Sequence, residues 1–365
     1  MRTGFAHLPL HSGKAPRWLF NKMVRLAREI VCHITAEYGA SEVLSRLSDP
    51  FWFQAFGCVL GFDWHSSGVT TTTCGAIKEG IRGLEKELGL FATGGKGASS
   101  RKTPVEIMNA CDYISQEPEN LIKASRLSAK VDNSAVQDGY QLYHHSFFFT
   151  QDEEWCVVQQ GFNDSNSMAR RYHWLSSRLN SFVNEPHSAI CCDAKGNTLD
   201  LVASDSEQTR HAITELASQP DRGVLRDVER LPNLILPHRH QVATADINPK
   251  YLKKVLLSTY ELVPRNFEEL LCIQGVGAKT LRALTLVAEL IYGTRASTRD
   301  PARFSFAHGG KDGTPFPVDR RIYERTITVL HDALAKSKVD YSEKIRALKR
   351  LAAFDQNNQN YKLIT

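Results

Sequence analysis

The chain has 365 residues, 42% of them apolar, which is enough for two or three domains around a sizeable core. Its net charge of +5, from 45 Lys and Arg against 40 Asp and Glu, permits a polyanionic partner without demanding one. No apolar run is long enough to span a bilayer, no signal-peptide layout opens the chain, and eight cysteines without a Cys-x-x-Cys pair exclude a disulfide framework. A cytoplasmic protein with free thiols is therefore expected, with no membrane partner.

In chain order, residues 16–38 form a helix: Pro16 suits the first turn, Leu19, Met23, Leu26, Ile30 and Ile34 line one face, and Gly39 ends it. Ser41–Ser48 and Asp49–Leu60 read as two shorter helices, and the Thr70–Thr73 run leads into another through Leu88. Gly94-Gly95-Lys96-Gly97, with Arg101 and Lys102, reads as a flexible cationic loop able to embrace a phosphate, or as a plain linker. Thr103-Pro104-Val105-Glu106 has the form of a capping box, so a helix should follow through about Ile114, and one more from Glu119 to Lys130. The first 137 residues make one helical region.

The character changes at residue 138. His144–Thr150 and Trp155–Phe162 are β-branched or aromatic runs around a polar turn, and Ala189–Cys192 with Thr198–Ala203 repeats the pattern. A small antiparallel sheet over 138–205 is expected, with Cys191 and Cys192 buried in it. His144 and His145 lie near Asp152, Glu153 and Glu154 in sequence, the residue types of a metal-dependent nuclease. Neighbouring strand residues face opposite ways, which favours ordinary hairpin composition and no metal. His238 and His240 share a face if that segment is extended, but two ligands make no site. Arg170 to Trp174 could line a nucleic-acid surface by charge and stacking, or pack at a sheet edge. A third domain of helices then runs over 206–354, followed by a polar tail at 355–365. The fold class is α+β, mostly helical, with a small central sheet.

The most informative stretch is 266–293. Asn266 caps a helix carrying Phe267, Leu270 and Leu271; it stops at Gln274-Gly275-Val276-Gly277-Ala278-Lys279, and a second helix starts near Lys279 or Thr280. Glycines at 275 and 277 let the backbone turn sharply and approach another surface. Unpaired amides at the positive end of the second helix suit a phosphate and carry no sequence information. A glycine turn joining two packed helices is the alternative. Ala278 before Lys279 excludes a Walker loop.

The run Ile273-Gln274-Gly275-Val276-Gly277-Ala278-Lys279-Thr280, followed by Pro317-Val318-Asp319-Arg320-Arg321-Ile322, resembles the endonuclease III-like superfamily of helix-hairpin-helix DNA glycosylases. The resemblance covers about 245–340. It implies a C-terminal helix-hairpin-helix domain, Lys279 as a nucleophile, Asp319 as its partner carboxylate, and glycosylase or abasic-site lyase activity without a cofactor. Backbone contacts would come from Gly275, Val276, Gly277 and Thr280, helped by Arg320, Arg321, Lys311, His308, Lys96 and Arg101. Lys279 merely touching a phosphate, and Asp319 merely capping a helix, are the bland readings.

Two departures stand out. Lys279 and Asp319 are 319 − 279 = 40 residues apart, roughly twice the superfamily's usual separation, and no cysteine follows Cys272 to form its iron–sulfur motif. The excess falls in Thr294–Phe316, a mix of cations and aromatics fit to track a strand and stack a base. DNA is the favoured partner and RNA remains possible, since nothing in the sequence reads a 2′-hydroxyl. A non-catalytic, structure-selective binding protein and a metal-dependent nuclease centred on the sheet are the alternatives. As a whole the chain also looks like an uncharacterised prokaryotic family of unknown function, on the stretches Leu8–Leu19 and His308–Gly313.

Overall fold

Apolar spacing and end signals make the N-terminal helices of the computed structural model, which describes residues 15–62, 67–115, 117–192, 195–218, 249–302 and 320–360. Helix α1 (Arg17–Tyr38) buries Met23, Leu26, Ala27, Ile30, Val31 and Ile34 on one face. Gly39, at φ +87°, ends it and donates its N–H to Thr35. After α2 (Ala40–Ser48), Asp49 caps α3 (Pro50–Leu60) by accepting from the amides of Phe51 and Trp52 at 2.8 and 3.2 Å. Helices α4 (Gly68–Ile81) and α5 (Glu85–Leu88) complete the group.

The next segment departs from the expected helical region. Leu90–Lys96 is a strand, β1, not a loop: Gly94, Gly95 and Lys96 pair with Ser146, His145 and His144. The capping box before α6 (Thr103–Met108) does not form. Thr103 donates to the Ser100 carbonyl, while Glu106 turns away to accept from the Gly94 amide at 2.7 Å and Lys78 Nζ at 2.8 Å. Those longer-range bonds satisfy a strand amide and a lysine that a local cap would leave alone. Helix α7 (Pro118–Lys130) follows and widens into a π-turn at Val131–Ala135.

Strand β2 (Val136–Gln137) precedes the long hairpin of β3 (Gln141–Thr150) and β4 (Trp155–Asn163), then β5 (Met168–Leu175), β6 (Ala189–Cys191) and β7 (Leu199–Asp200). The main sheet is antiparallel in the order β1-β3-β4-β5-β6. The first expected hairpin is present. The second is not: β6 pairs with β5, and β7 pairs apart with β2. Cys191 and Cys192 are buried, as their setting suggested.

Strand alternation gives the sheet two apolar faces. Phe147, Phe149, Trp155, Val157 and Trp174 share a core with α7, α8 (Glu207–Ser218), α9 (Pro249–Leu262), α10 (Phe267–Cys272) and α11 (Ala278–Tyr292). Phe148, Cys156, Val158 and Leu175 share another with α1 to α4, α12 (Arg320–Lys336) and α13 (Tyr341–Asn360). The sheet is thus the middle of three layers. The fold is α+β, mostly helical around a small antiparallel sheet. No helix among the described residues is long and apolar enough to cross a membrane.

The surface reading of Arg170–Trp174 is corrected. Arg170 is buried in ion pairs with Asp138 at 2.9 Å and Asp300 at 2.7 Å. Arg171 is equally buried, donating to His173 Nε2 at 2.9 Å and to Gln54 at 3.2 Å. These strands are covered by helices on both sides, so long cations enter the interior only with partners.

Candidate functional site

The glycine turn is built from its own sequence. Asn266 Oδ1 accepts from the Glu269 amide at 2.9 Å, capping α10 as expected. Gly275 sits at φ +91°, where a Cβ would also lie 3.2 Å from Val255 Cγ2. Its carbonyl accepts from Thr280 Oγ1 at 3.2 Å and from the Tyr251 hydroxyl at 3.4 Å. Val276 and Thr280 are buried, so their side chains brace the turn instead of facing a ligand.

Gly277 has an ordinary φ of −131°, and a Cβ there would meet nothing within 4 Å. The first bond of α11 runs from the Leu281 amide to the Gly277 carbonyl at 2.9 Å, which leaves the amides of 278–280 without intrahelical acceptors. Lys279 is exposed there, with no hydrogen-bond or ion-pair partner among the described residues. Gln137 ties this helix to β2, donating to the Ala278 carbonyl at 2.9 Å and accepting from Arg282 Nε at 2.8 Å.

Asp319, His308 and Lys311 lie outside the described residues, as do His238 and His240. Arg320 and Arg321 open α12, but only their backbone is described.

Lys96 and Arg101 belong to a second feature. A cleft of about 770 Å³ opens between α7 and α10, with Arg101, Lys123, Arg126 and Lys130 on one side and Leu271 and Cys272 on the other. Lys123, Arg126 and Lys130 follow an i, i+3, i+7 spacing, so α7 presents all three on one face. Lys123 is held by Glu268 of α10 at 2.8 Å. Arg101, Arg126 and Lys130 have no such partner among the described residues, and burial pushes the Lys130 ammonium below its usual range. Lys96 Nζ stands 5.7 Å over the ring of Tyr143, another cleft residue.

Below these cations runs a chain of polar side chains. Ser125 Oγ lies 2.8 Å from His145 Nε2, and His145 Nδ1 lies 2.8 Å from Gln159 Oε1. Gln159 Nε2 donates to Asp132 at 2.5 Å, and Asp132 also accepts from Trp174 Nε1 at 3.0 Å and meets His187 at 2.5 Å. A carboxylate accepts only, so the Gln159 amide nitrogen must face it and the amide oxygen must face His145. His145 therefore carries its proton on Nδ1 and accepts the Ser125 hydroxyl on Nε2. Burial keeps this imidazole below its usual pKa; the bond to Gln159 and the charge of Asp132 act the other way.

His144, next in the strand, bonds Ser146 Oγ at 3.0 Å, and its buried Nδ1 has no partner among the described residues. Burial, His145 and Lys96 together push its pKa down to about 3.

The residues singled out as metal-ligand types do not converge. His145 spends both nitrogens on Ser125 and Gln159, while Asp152–Glu154 form the turn at the far end of the hairpin. Five steps of β3 separate His145 from the strand's end at Thr150, about 17 Å at ~3.3 Å per residue, and Asp152 lies beyond it. Among the described residues, no group of three His, Cys, Asp or Glu could hold a metal ion.

The spacing of Lys123, Arg126 and Lys130 was a usable signal in the sequence. The chain Ser125–His145–Gln159–Asp132 had none, because its members come from a helix, two strands and a turn.

A family model spans residues 4–318, taking in the sheet, the cleft and the glycine turn. The chain belongs to the DUF763 family, described as protein of unknown function. No curated protein and no solved structure matches this DUF763 chain.

Proposed function

We propose that this DUF763 chain is a nucleic-acid-binding protein that docks on a phosphate backbone through the turn at Gly275–Gly277, with DNA favoured. The observation that carries the reading is the open start of α11. Three amides lack intrahelical acceptors and, among the described residues, nothing crowds Gly277 and nothing pairs with the exposed Lys279 at the same end. The turn itself is braced from below by Val276 and Thr280, so a phosphate would meet a preformed cradle.

Gly277→Asp tests this directly. An aspartate at that position caps the helix and complements its dipole, so stability holds or rises, while its charge repels a phosphate. Fluorescence anisotropy with a labelled duplex should show binding weakened by at least about tenfold, one unit of 1.4 kcal/mol. Unchanged affinity in that variant removes the docking proposal. Lys279→Ala should weaken binding across sequences and reduce the salt slope by about one.

A catalytic reading of the same end is favoured by the free amine of Lys279 and by the resemblance to helix-hairpin-helix glycosylases. As the neutral amine, Lys279 would attack the sugar C1′ of a nucleotide taken out of the stack, expel the base and form a Schiff base. β-Elimination would then cut the strand, with Asp319 as the carboxylate that takes the proton. Borohydride with abasic DNA should trap a covalent adduct. No adduct, or one that survives Lys279→Ala, ends the lyase reading and leaves docking intact.

A further inference from the structure

We propose that the cationic cleft is a phosphoryl-transfer site, in which Ser125 attacks the phosphorus of a phosphate ester and His145 takes its proton. The proposal does not rest on the glycine turn, which lies on other residues.

Two observations converge on it. The first is the direction of the Ser125 hydroxyl. A mid-helix serine commonly bonds back to a carbonyl three or four residues earlier, as Ser128 does to the Ser125 carbonyl at 3.1 Å. Ser125 instead points at His145 Nε2, the nitrogen that the Gln159 amide leaves unprotonated. The second is the charge around it. Arg101, Arg126 and Lys130 line the same cleft without partners among the described residues, and a phosphate ester supplies the negative charge they lack.

In the first step, the Oγ–phosphorus bond forms and the bond from phosphorus to the leaving oxygen breaks. The Oγ proton passes to His145 Nε2 and from there to the leaving alkoxide. The imidazolium formed in between is steadied through Gln159 by the carboxylate of Asp132. The cations hold the charge on the non-bridging oxygens as it develops. In the second step, water gives a proton to His145 and attacks phosphorus, and the Ser125 oxygen leaves with that proton. The phosphate ester could be a small monoester or a diester in a nucleic-acid strand. The chemistry at phosphorus is shared.

The test uses the full chain and an alkyl fluorophosphonate, with the adduct located by mass spectrometry. An adduct is expected on Ser125, absent in Ser125→Ala and formed at least about 100-fold more slowly in His145→Ala. Inorganic phosphate should protect the native chain. Arg126→Ala, which removes an exposed cation of the cleft, should be labelled more slowly on Ser125 and lose that protection. Acid quenching after p-nitrophenyl phosphate, or after an end-labelled DNA strand, then tells the sources apart by which one leaves phosphorus on Ser125. No fluorophosphonate adduct on the native chain, an adduct persisting in Ser125→Ala, or labelling without phosphorus transfer from either ester overturns the assignment.

Discussion

Asp132 is the residue on which the cleft floor converges. Its carboxylate is fully buried and accepts from Gln159, Trp174 and His187, one group each from β4, β5 and the loop before β6. Asp132→Leu would leave three buried donors unmatched. A loss of about 3–5 kcal/mol is expected by urea denaturation, as for breaking a buried charge network. Asp200 poses the opposite case. Burial raises its pKa to about 6, with backbone bonds from Val202 and Ala203 acting the other way.

The folded chain thus holds a proton on Asp200 between pH 3.8 and 6 that the unfolded chain has released, so this residue's contribution to stability falls as pH rises through that window. The shift of 6 − 3.8 corresponds to roughly 3 kcal/mol. Asp200→Asn keeps an oxygen for the two amides and cannot ionise. Relative to the native chain, it should gain stability between pH 4 and 6 and keep that gain above, measured as melting temperature against pH.

Among the elements, the glycine turn separates two roles that a single motif had joined. Gly275→Ala meets both a positive φ and the Val255 side chain, and should cost about 1–3 kcal/mol in denaturant unfolding. Gly277 faces open space at an ordinary φ, so its substitution reports on ligand approach. The helices were legible from the sequence because burial repeats along them: of the apolar positions named for α1 it buries Met23, Leu26, Ile30 and Ile34 and half-buries Leu19, and Asn266 does cap its helix.

Strand β1 was not legible, since two glycines in Leu90–Lys96 read as a loop. Gly94 is there for contact, not flexibility: a Cβ at that position would come within 2.2 Å of the His145 carbonyl. Strands β6 and β7 showed strand character without showing partners, because pairing is set by the sheet and not by the nearest turn. The same limit hid the cleft floor. Cations spaced along one helix can be read from sequence, whereas a serine, a histidine, a glutamine and an aspartate up to 34 residues apart meet only once the sheet exists.

At the scale of the molecule, each helical layer draws on distant parts of the chain. The layer over Phe148 and Val158 joins α1–α4 with α12 and α13, through Leu330, Ala333, Leu334, Ala347 and Leu351. Lys22 pairs with Glu343 at 2.8 Å and Lys336 with Glu37 at 3.1 Å across the seam. A chain stopped after residue 302 should therefore bind a hydrophobic dye and lose cooperative unfolding, although the sheet, the glycine turn and the cleft cations remain in it. A truncated chain that unfolds as cooperatively as the full one would show that the seam contributes little.

The seam also sets an order in time. Helices α1 and α3 keep an uncovered greasy stripe until the distant stretch from Leu330 to Leu351 has been synthesised, so the nascent polypeptide must be shielded from clumping throughout that interval.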